Sequence, residues 1–141
     1  MLKNIPAILS PELMKTLMEM GHSDELIIAD GNYPAHNQGV KVIRADGHEV
    51  KSLLEAILRF FPLDTYSDHP VSLMSVVKGD PTVPVIWDTY KNILGDKGYE
   101  NDVIEYVDRF DFYDRSKKAY VIIATSDQAL YGNILLSKGV V

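Results

Sequence analysis

The chain has 141 residues, of which 46% are apolar and 24% charged, and its formal net charge is −6. This length and composition suit one folded domain, so we predict a single domain over residues 1–141. Cysteine is absent, which excludes disulfides and thiolate chemistry. Because the chain is acidic and has no cluster of basic residues, we do not expect it to bind nucleic acid. The sequence has no apolar run long enough for a membrane span and no signal-peptide core, so we expect a cytoplasmic protein without membrane partners.

The apolar periodicity predicts alternating helices and strands. A helix begins after Ser10, which is an N-cap residue followed by a proline and an acid, and we expect Gly21 to end it. Further helices are predicted at 50–61, about 83–94 and 110–118. Strands are predicted at 25–29, 41–44, 71–77, 103–107, 120–125 and 134–136.

This alternation is typical of a three-layer α/β/α domain. The last two predicted strands are joined by a short segment, residues 126–131, which is too brief for an ordinary crossover helix. We therefore predict a mixed, mostly parallel sheet. The segment 31–39 is rich in turn-forming residues and is predicted to be a loop.

Several polar groups stand where predicted elements end. His22 follows a helix C-terminus, whose dipole favours a protonated ring, so it could serve as an acid or simply cap the helix. Asp30 ends a strand and could accept hydrogen bonds from hydroxyl groups or form an Asx turn. His36, in the loop that follows, could titrate in a site or be held by backbone.

Two later segments are also candidates. Arg109 lies at a strand-to-helix junction and could pair with an acid or bind an oxygen-rich ligand. Tyr131 and Asn133 flank Gly132, which allows a close backbone approach, and a phenol beside an amide suits the hydroxyls of a sugar. An ordinary turn between strands would have the same residues. The set His22, Asp30, His36 and His48 lacks the spacing of a metal signature, so we predict no metal and no other cofactor.

Taken together, these segments resemble the RbsD/FucU family of sugar mutarotases over almost the whole chain. The resemblance rests on Gly21-His22, Asp30, Pro34-Ala-His36, Val42-Ile-Arg-Ala-Asp-Gly47, Arg109-Phe-x-Phe-Tyr-x-Arg115 and Tyr131-Gly-Asn-Ile-Leu-Leu-x-Lys-Gly139. The chain is more similar to the L-fucose mutarotase branch than to D-ribose pyranase. The ribose branch has histidine in place of Arg109 and typically alanine in place of Gly132.

The resemblance implies that His22 donates a proton and that a small sugar is bound by Asp30, Arg109 and the segment Tyr131-Gly132-Asn133. It also implies a ring-shaped homo-oligomer, commonly a decamer, with each pocket near a subunit boundary. Tyr33 departs from the family pattern, in which phenylalanine is common, and we expect its hydroxyl to affect ligand preference.

These residues permit mutarotation through the open-chain aldehyde. We expect His22 to donate to the ring oxygen, while Tyr131 transfers the second proton or orders a water that does so. An ordinary phenol pKa is too high for a base at neutral pH, so we expect Arg109 to lower it. His22 and Tyr131 should face one cavity, within a subunit or across a contact, with His36 a weaker site candidate. A pyranose–furanose isomerase and a non-catalytic sugar-binding protein remain alternatives.

Overall fold

The computed structural model describes residues 2–141 and contains one sheet of six strands. The strands are β1 (Glu25–Ala29), β2 (Lys41–Ala45), β3 (Val71–Met74), β4 (Ile104–Val107), β5 (Val121–Thr125) and β6 (Ile134–Ser137). The helices are α1 (Pro11–Glu19), α2 (Val50–Ile57), α3 (Ile86–Asp96) and α4 (Arg109–Ser116), with 3-10 turns at Ala35–Gln38 and Asn101–Val103. Within residues 2–141, no helix is both long enough and apolar enough to cross a bilayer.

The strands lie in the order β2-β5-β1-β6-β3-β4. Strand β6 is antiparallel to both of its neighbours, β1 and β3, whereas the other three pairs are parallel. The predicted mixed, mostly parallel sheet is therefore confirmed. The reversal of β6 brings its first residues to the end of the sheet where β1 and β3 finish.

Helices cover both faces of the sheet, which confirms the three-layer prediction. Successive residues of β1 alternate between the two faces: Leu26 and Ile28 pack with α1, α2 and α3, while Ile27 packs with Phe112 of α4. These side chains are fully buried. Burying each such side chain stabilises the fold by about 1.5–3 kcal/mol, so both faces of the sheet contribute to the core.

The ends of some elements differ from the predictions for identifiable reasons. Strand β3 stops at Met74 rather than at 77 because its partners stop there: Met74 pairs with Val107, the last residue of β4. Helix α3 begins at Ile86 rather than near 83, since Pro84 disfavours a helical conformation for the residue before it.

Two helices end earlier than predicted, and one predicted loop contains a short helical turn. Helix α2 ends at Ile57 rather than at 61. Helix α1 ends at Glu19, and Met20 is already extended, so Gly21 lies beyond the helix instead of capping it. The predicted loop 31–39 contains a 3-10 turn at Ala35–Gln38.

The segment after α2 packs tightly against the end of β6. Leu63 forms a β-bridge with Lys138, and the N–H of Gly139 donates to the carbonyl of Pro62 at 2.8 Å. A Cβ on Gly139 would overlap the carbonyl oxygen of Leu63 and lie 2.8 Å from its carbonyl carbon. The close approach therefore requires glycine at position 139.

We predict that Gly139→Ala lowers the free energy of unfolding by about 1–3 kcal/mol, because the added methyl group would push the Leu63 backbone away. Urea denaturation followed by circular dichroism measures this loss. The matched control is Gly95→Ala, since a Cβ at Gly95 meets nothing within 4 Å and this residue lies in α3. The control should stabilise the protein by about 0.5–1 kcal/mol. Equal stability of both variants would contradict the proposed close packing.

Candidate functional site

A cavity of about 240 Å³, with both polar and apolar side chains in its lining, lies where β1, β3 and β4 end and β6 begins. Four of the predicted site residues line it: Asp30, Arg109, Tyr131 and Asn133. Asp30 follows β1, Arg109 follows β4 after one residue, and Asn133 immediately precedes β6. The rest of the lining comprises Asn32, Tyr33, Met74, Val77, Asp80, Tyr113 and Leu130. The fold thus brings together residues that are as many as 103 positions apart.

Asp30 is a buried residue of the cavity lining and is held by two hydrogen bonds. Its backbone N–H donates to Oδ1 of Asn133 at 2.9 Å, and its own Oδ1 accepts from the N–H of Asn32 at 2.9 Å. The second bond is an Asx turn, so the structural role considered for Asp30 is present in addition to its place in the cavity. Burial raises the pKa of the Asp30 carboxyl, while the N–H groups of Asn32, Gly132 and Tyr33 oppose this rise.

The segment from Tyr131 to Asn133 has an unusual backbone. Tyr131 has a φ of 56°, in the left-handed region that a tyrosine seldom adopts. Gly132 is buried, and a Cβ there would lie 3.0 Å from the carbonyl oxygen of Ala129 and 3.5 Å from Cβ of Asp30. Glycine therefore permits the close approach of this turn to Asp30, as the sequence suggested.

Helix α3 holds this strained turn from one side. The indole N–H of Trp87 donates to the carbonyl of Tyr131 at 3.0 Å, and the hydroxyl of Tyr90 donates to the carbonyl of Gly132 at 2.5 Å. Tyr90 is fully buried, and this burial raises the pKa of its phenol. Two aromatic donors on one helix thus satisfy two consecutive carbonyls of the turn.

The phenol of Tyr131 is held by the segment that follows β3. Its hydroxyl donates to Oδ2 of Asp80 at 2.5 Å and accepts from the N–H of Val77 at 3.3 Å. The hydrogen bond to Asp80 raises the pKa of the Tyr131 phenol, and the positive charge of Arg109 is too weak an influence to reverse this. Arg109 lowers this pKa as predicted, but the hydrogen bond to Asp80 has the larger effect, so the net shift is upward and the phenol remains protonated at neutral pH.

Arg109 occupies an open edge of the cavity. Its guanidinium carbon lies 5.4 Å from the ring centre of Phe110 and 5.7 Å from that of Tyr113. The side chain is stacked on aromatic rings, an arrangement in which a guanidinium keeps its donors available. Arg109 can therefore present hydrogen-bond donors to a ligand held by Asp30.

Tyr33 lines the cavity with its ring, but its hydroxyl is directed elsewhere. The hydroxyl hydrogen-bonds to Ser116, whose own Oγ donates to the carbonyl of Phe112 at 2.8 Å. Burial raises the pKa of the Tyr33 phenol to about 12. The expectation that this hydroxyl acts on ligand preference does not fit this geometry, because the group is already bonded inside the protein.

His22 lies at the other end of β1 from the cavity. It precedes β1, whereas Asp30 follows it, and five strand residues span about 17 Å. A single chain therefore does not bring His22 and Tyr131 to one cavity.

A second polar cluster surrounds His22 instead. Nε2 of His22 is 3.2 Å from Oδ1 of Asp64, and its ring centre is 5.4 Å from that of Tyr66. The N–H of Tyr66 and the His22 ring lower the pKa of the Asp64 carboxyl, so it is a carboxylate at neutral pH. A carboxylate bonded to one ring nitrogen fixes the orientation of a histidine and leaves the other ring nitrogen available to a ligand.

The remaining candidate, His36, is exposed on the 3-10 turn Ala35–Gln38 and is not part of the cavity lining. Among residues 2–141, no three side chains of the metal-binding types are close enough together to hold an ion.

Asp64 and Asp80 were missed by sequence reasoning. Asp80 follows the predicted strand 71–77 and lies in a Gly-Asp-Pro turn, a position comparable to that of Asp30 after β1. That comparison could have identified Asp80 as a candidate. Nothing near Asp64 in the sequence indicates a partner 42 residues away.

Comparisons with known proteins find one family over nearly the whole chain. The RbsD / FucU transport protein family matches residues 3–141. The chain is 51% identical to the fucose mutarotase of Streptococcus pneumoniae, solved in complex with L-fucose, with 99% of both chains covered and a TM-score of 0.96. It is 47% identical to FucU from Bifidobacterium longum, covering 97% of this chain and 98% of the other with a TM-score of 0.94.

A more distant relative shares the fold alone. RbsD of Bacillus subtilis, solved with D-ribose, is 23% identical over 94% of this chain and 95% of its own, with a TM-score of 0.74. The family match over nearly the whole chain and the two close structures lead to one assignment. The chain belongs to the RbsD/FucU family.

Proposed function

We propose that this protein is a mutarotase that interconverts the α and β anomers of a free monosaccharide, with L-fucose as the first candidate. The observation that carries the proposal is the convergence of Asp30, Arg109, Tyr131 and Asn133 on one small cavity. A relative that is 51% identical is a fucose mutarotase whose structure contains L-fucose. A cavity of about 240 Å³ is smaller than the pockets that hold drug-sized ligands, which suits one small sugar.

The reaction needs two proton transfers and no redox step. The ring oxygen gains a proton, the anomeric hydroxyl loses one, and the open aldehyde recloses on its other face. Asp30 can accept hydrogen bonds from sugar hydroxyls, and Asn133 can donate through its amide group, since its Oδ1 is bonded to the Asp30 N–H. Arg109 supplies further donors. These three residues would hold the anomeric carbon in place for the acid and base.

The acid in this proposal is His22 of a second copy of the chain. The ring of His22 and the cavity lie at opposite ends of β1, so a head-to-tail contact can bring the His22 end of one copy to the cavity of the next. Contacts of this kind form a closed ring when the rotation between successive copies divides a full turn. Both ends carry exposed apolar side chains that such a contact would cover: Tyr66 beside His22 is 79% exposed, and Phe110 beside Arg109 is 72% exposed. We propose a ring-shaped homo-oligomer, and the family resemblance favours a decamer.

We predict that His22→Ala slows anomer exchange of L-fucose by about 10²-fold or more, because general acid catalysis at the ring oxygen is lost. Saturation-transfer NMR between the α and β anomeric protons measures the exchange rate. The matched control is His48→Ala, whose exposed side chain lies outside the cavity, and this variant should keep the full rate. Full activity of His22→Ala would remove this histidine from the reaction.

We also predict that two inactive variants regain activity when their subunits are mixed. His22→Ala keeps an intact cavity, and Asp30→Ala keeps an intact His22, so a contact between them can assemble one complete site. Random mixing at equal amounts should restore about one quarter of the sites. The test is to unfold and refold the two variants together and measure anomer exchange. If the site were complete within one chain, the mixture would stay inactive.

The same cavity could open the ring of D-ribose, since pyranose–furanose exchange begins with the same step. Exchange rates for L-fucose and D-ribose, measured side by side, separate the two substrates. A protein that binds either sugar without raising any exchange rate would be a binding protein and would contradict the proposed activity.

A further inference from the structure

The segment between β3 and α3 places a carboxylate directly behind the phenol of Tyr131. Oδ2 of Asp80 accepts the Tyr131 hydroxyl hydrogen at 2.5 Å, and Asp80 also lines the cavity. Its other oxygen, Oδ1, accepts from the N–H and the hydroxyl of Thr82 at 2.9 and 2.6 Å. One oxygen of Asp80 is therefore fixed by the turn, and the other is directed at Tyr131.

We propose that Tyr131 and Asp80 act as one base, in which the phenol takes the proton of the anomeric hydroxyl while passing its own proton to Asp80. This inference rests on the proposed mutarotase function. It removes the need for a phenolate, which the geometry disfavours because the phenol hydrogen is already directed at a carboxylate. The phenol oxygen accepts from the N–H of Val77 with one lone pair, and its second lone pair can accept the anomeric hydroxyl hydrogen.

In this proposal, proton transfers at both oxygens of C1 accompany the opening of the sugar ring. The anomeric O–H bond breaks and its proton bonds to Oη of Tyr131, whose own O–H bond breaks as that proton moves to Oδ2 of Asp80. The electron pair of the anomeric O–H bond forms the carbonyl at C1. The C1–O ring bond breaks, and the ring oxygen keeps that pair and takes a proton from His22 of the second copy. Ring closure on the other face runs every transfer backwards.

The surroundings of Asp80 suit a transient proton acceptor. The hydrogen bonds from Thr82 and then Tyr131 hold the pKa of the Asp80 carboxyl below its ordinary value, so the group is ionised before the reaction. A carboxylate of this kind returns the proton readily, which the closing half of the reaction requires. The N–H of Val77, at 3.3 Å from Tyr131 Oη, helps to hold the phenol oxygen in place during the transfer.

Asp80→Asn distinguishes proton transfer from simple positioning. Asparagine keeps an oxygen that can accept the Tyr131 hydroxyl hydrogen, but it cannot take the proton at neutral pH. We expect kcat for L-fucose anomer exchange to fall about 10²-fold or more with KM nearly unchanged. Asp80→Glu, which restores a carboxylate, should recover part of kcat. An unchanged kcat in Asp80→Asn, or a rise in KM alone, would overturn the inference.

The double variant with Asp80→Asn and Tyr131→Phe tests the relay without relying on the size of either single loss of rate. If the two groups form one base, Asp80→Asn should cost little further rate in a Tyr131→Phe background. If the fold-losses of rate in the two single variants multiply in the double variant, the two residues act independently and the relay is contradicted.

Asp88→Asn is the matched control. It removes the same charge from a mostly exposed side chain in the first turn of α3, outside the cavity lining, and should keep the wild-type kcat.

The activity of the wild-type protein separates the relay from the proposed mutarotase function on which it rests. If the wild-type protein does not exchange anomers, the proposed function is contradicted. If both the wild-type protein and the Asp80→Asn variant are fully active, only the relay is contradicted.

Discussion

Strand β6 enters the centre of the sheet antiparallel to β1 and β3, and the composition of the cavity depends on this reversal. Ile134, the first residue of β6, pairs with Ile28 near the end of β1 and with Leu73 near the end of β3. The residues just before β6 therefore lie beside the residues that follow β1 and β3. If β6 ran parallel to them, Tyr131 and Asn133 would lie at the opposite end of the sheet, apart from Asp30.

The second constraint is the left-handed backbone of Tyr131. Such a conformation costs a non-glycine residue about 1–3 kcal/mol, so it persists only where surrounding bonds hold it. Trp87 and Tyr90 hold the carbonyls of the turn, and Asp80 holds the phenol. These residues all come from the segment between β3 and the middle of α3. That segment therefore connects the packing of the sheet to the position of the Tyr131 hydroxyl.

Much of the fold and part of the site could be predicted because they follow local rules. Alternating periodicities indicated the elements, the short connection before β6 indicated a mixed sheet, and Asp30 stands where a strand ends. The start of β3 at Val71 was predicted, but its end was not, because that end depends on where β4 stops and β6 begins. Asp64 and Asp80 were not predicted for a similar reason. Their partners, His22 and Tyr131, lie 42 and 51 residues away, and no local pattern indicates those pairs.

The central claim is that one copy supplies the oxygen-lined cavity and another supplies the acid. A crystal structure of the assembled protein with bound L-fucose tests it most directly. We expect the sugar between Asp30, Arg109 and Asn133, with Nδ1 of His22 from a neighbouring copy about 3 Å from the ring oxygen. A sugar bound elsewhere, or a cavity that no neighbouring His22 approaches, would contradict the account.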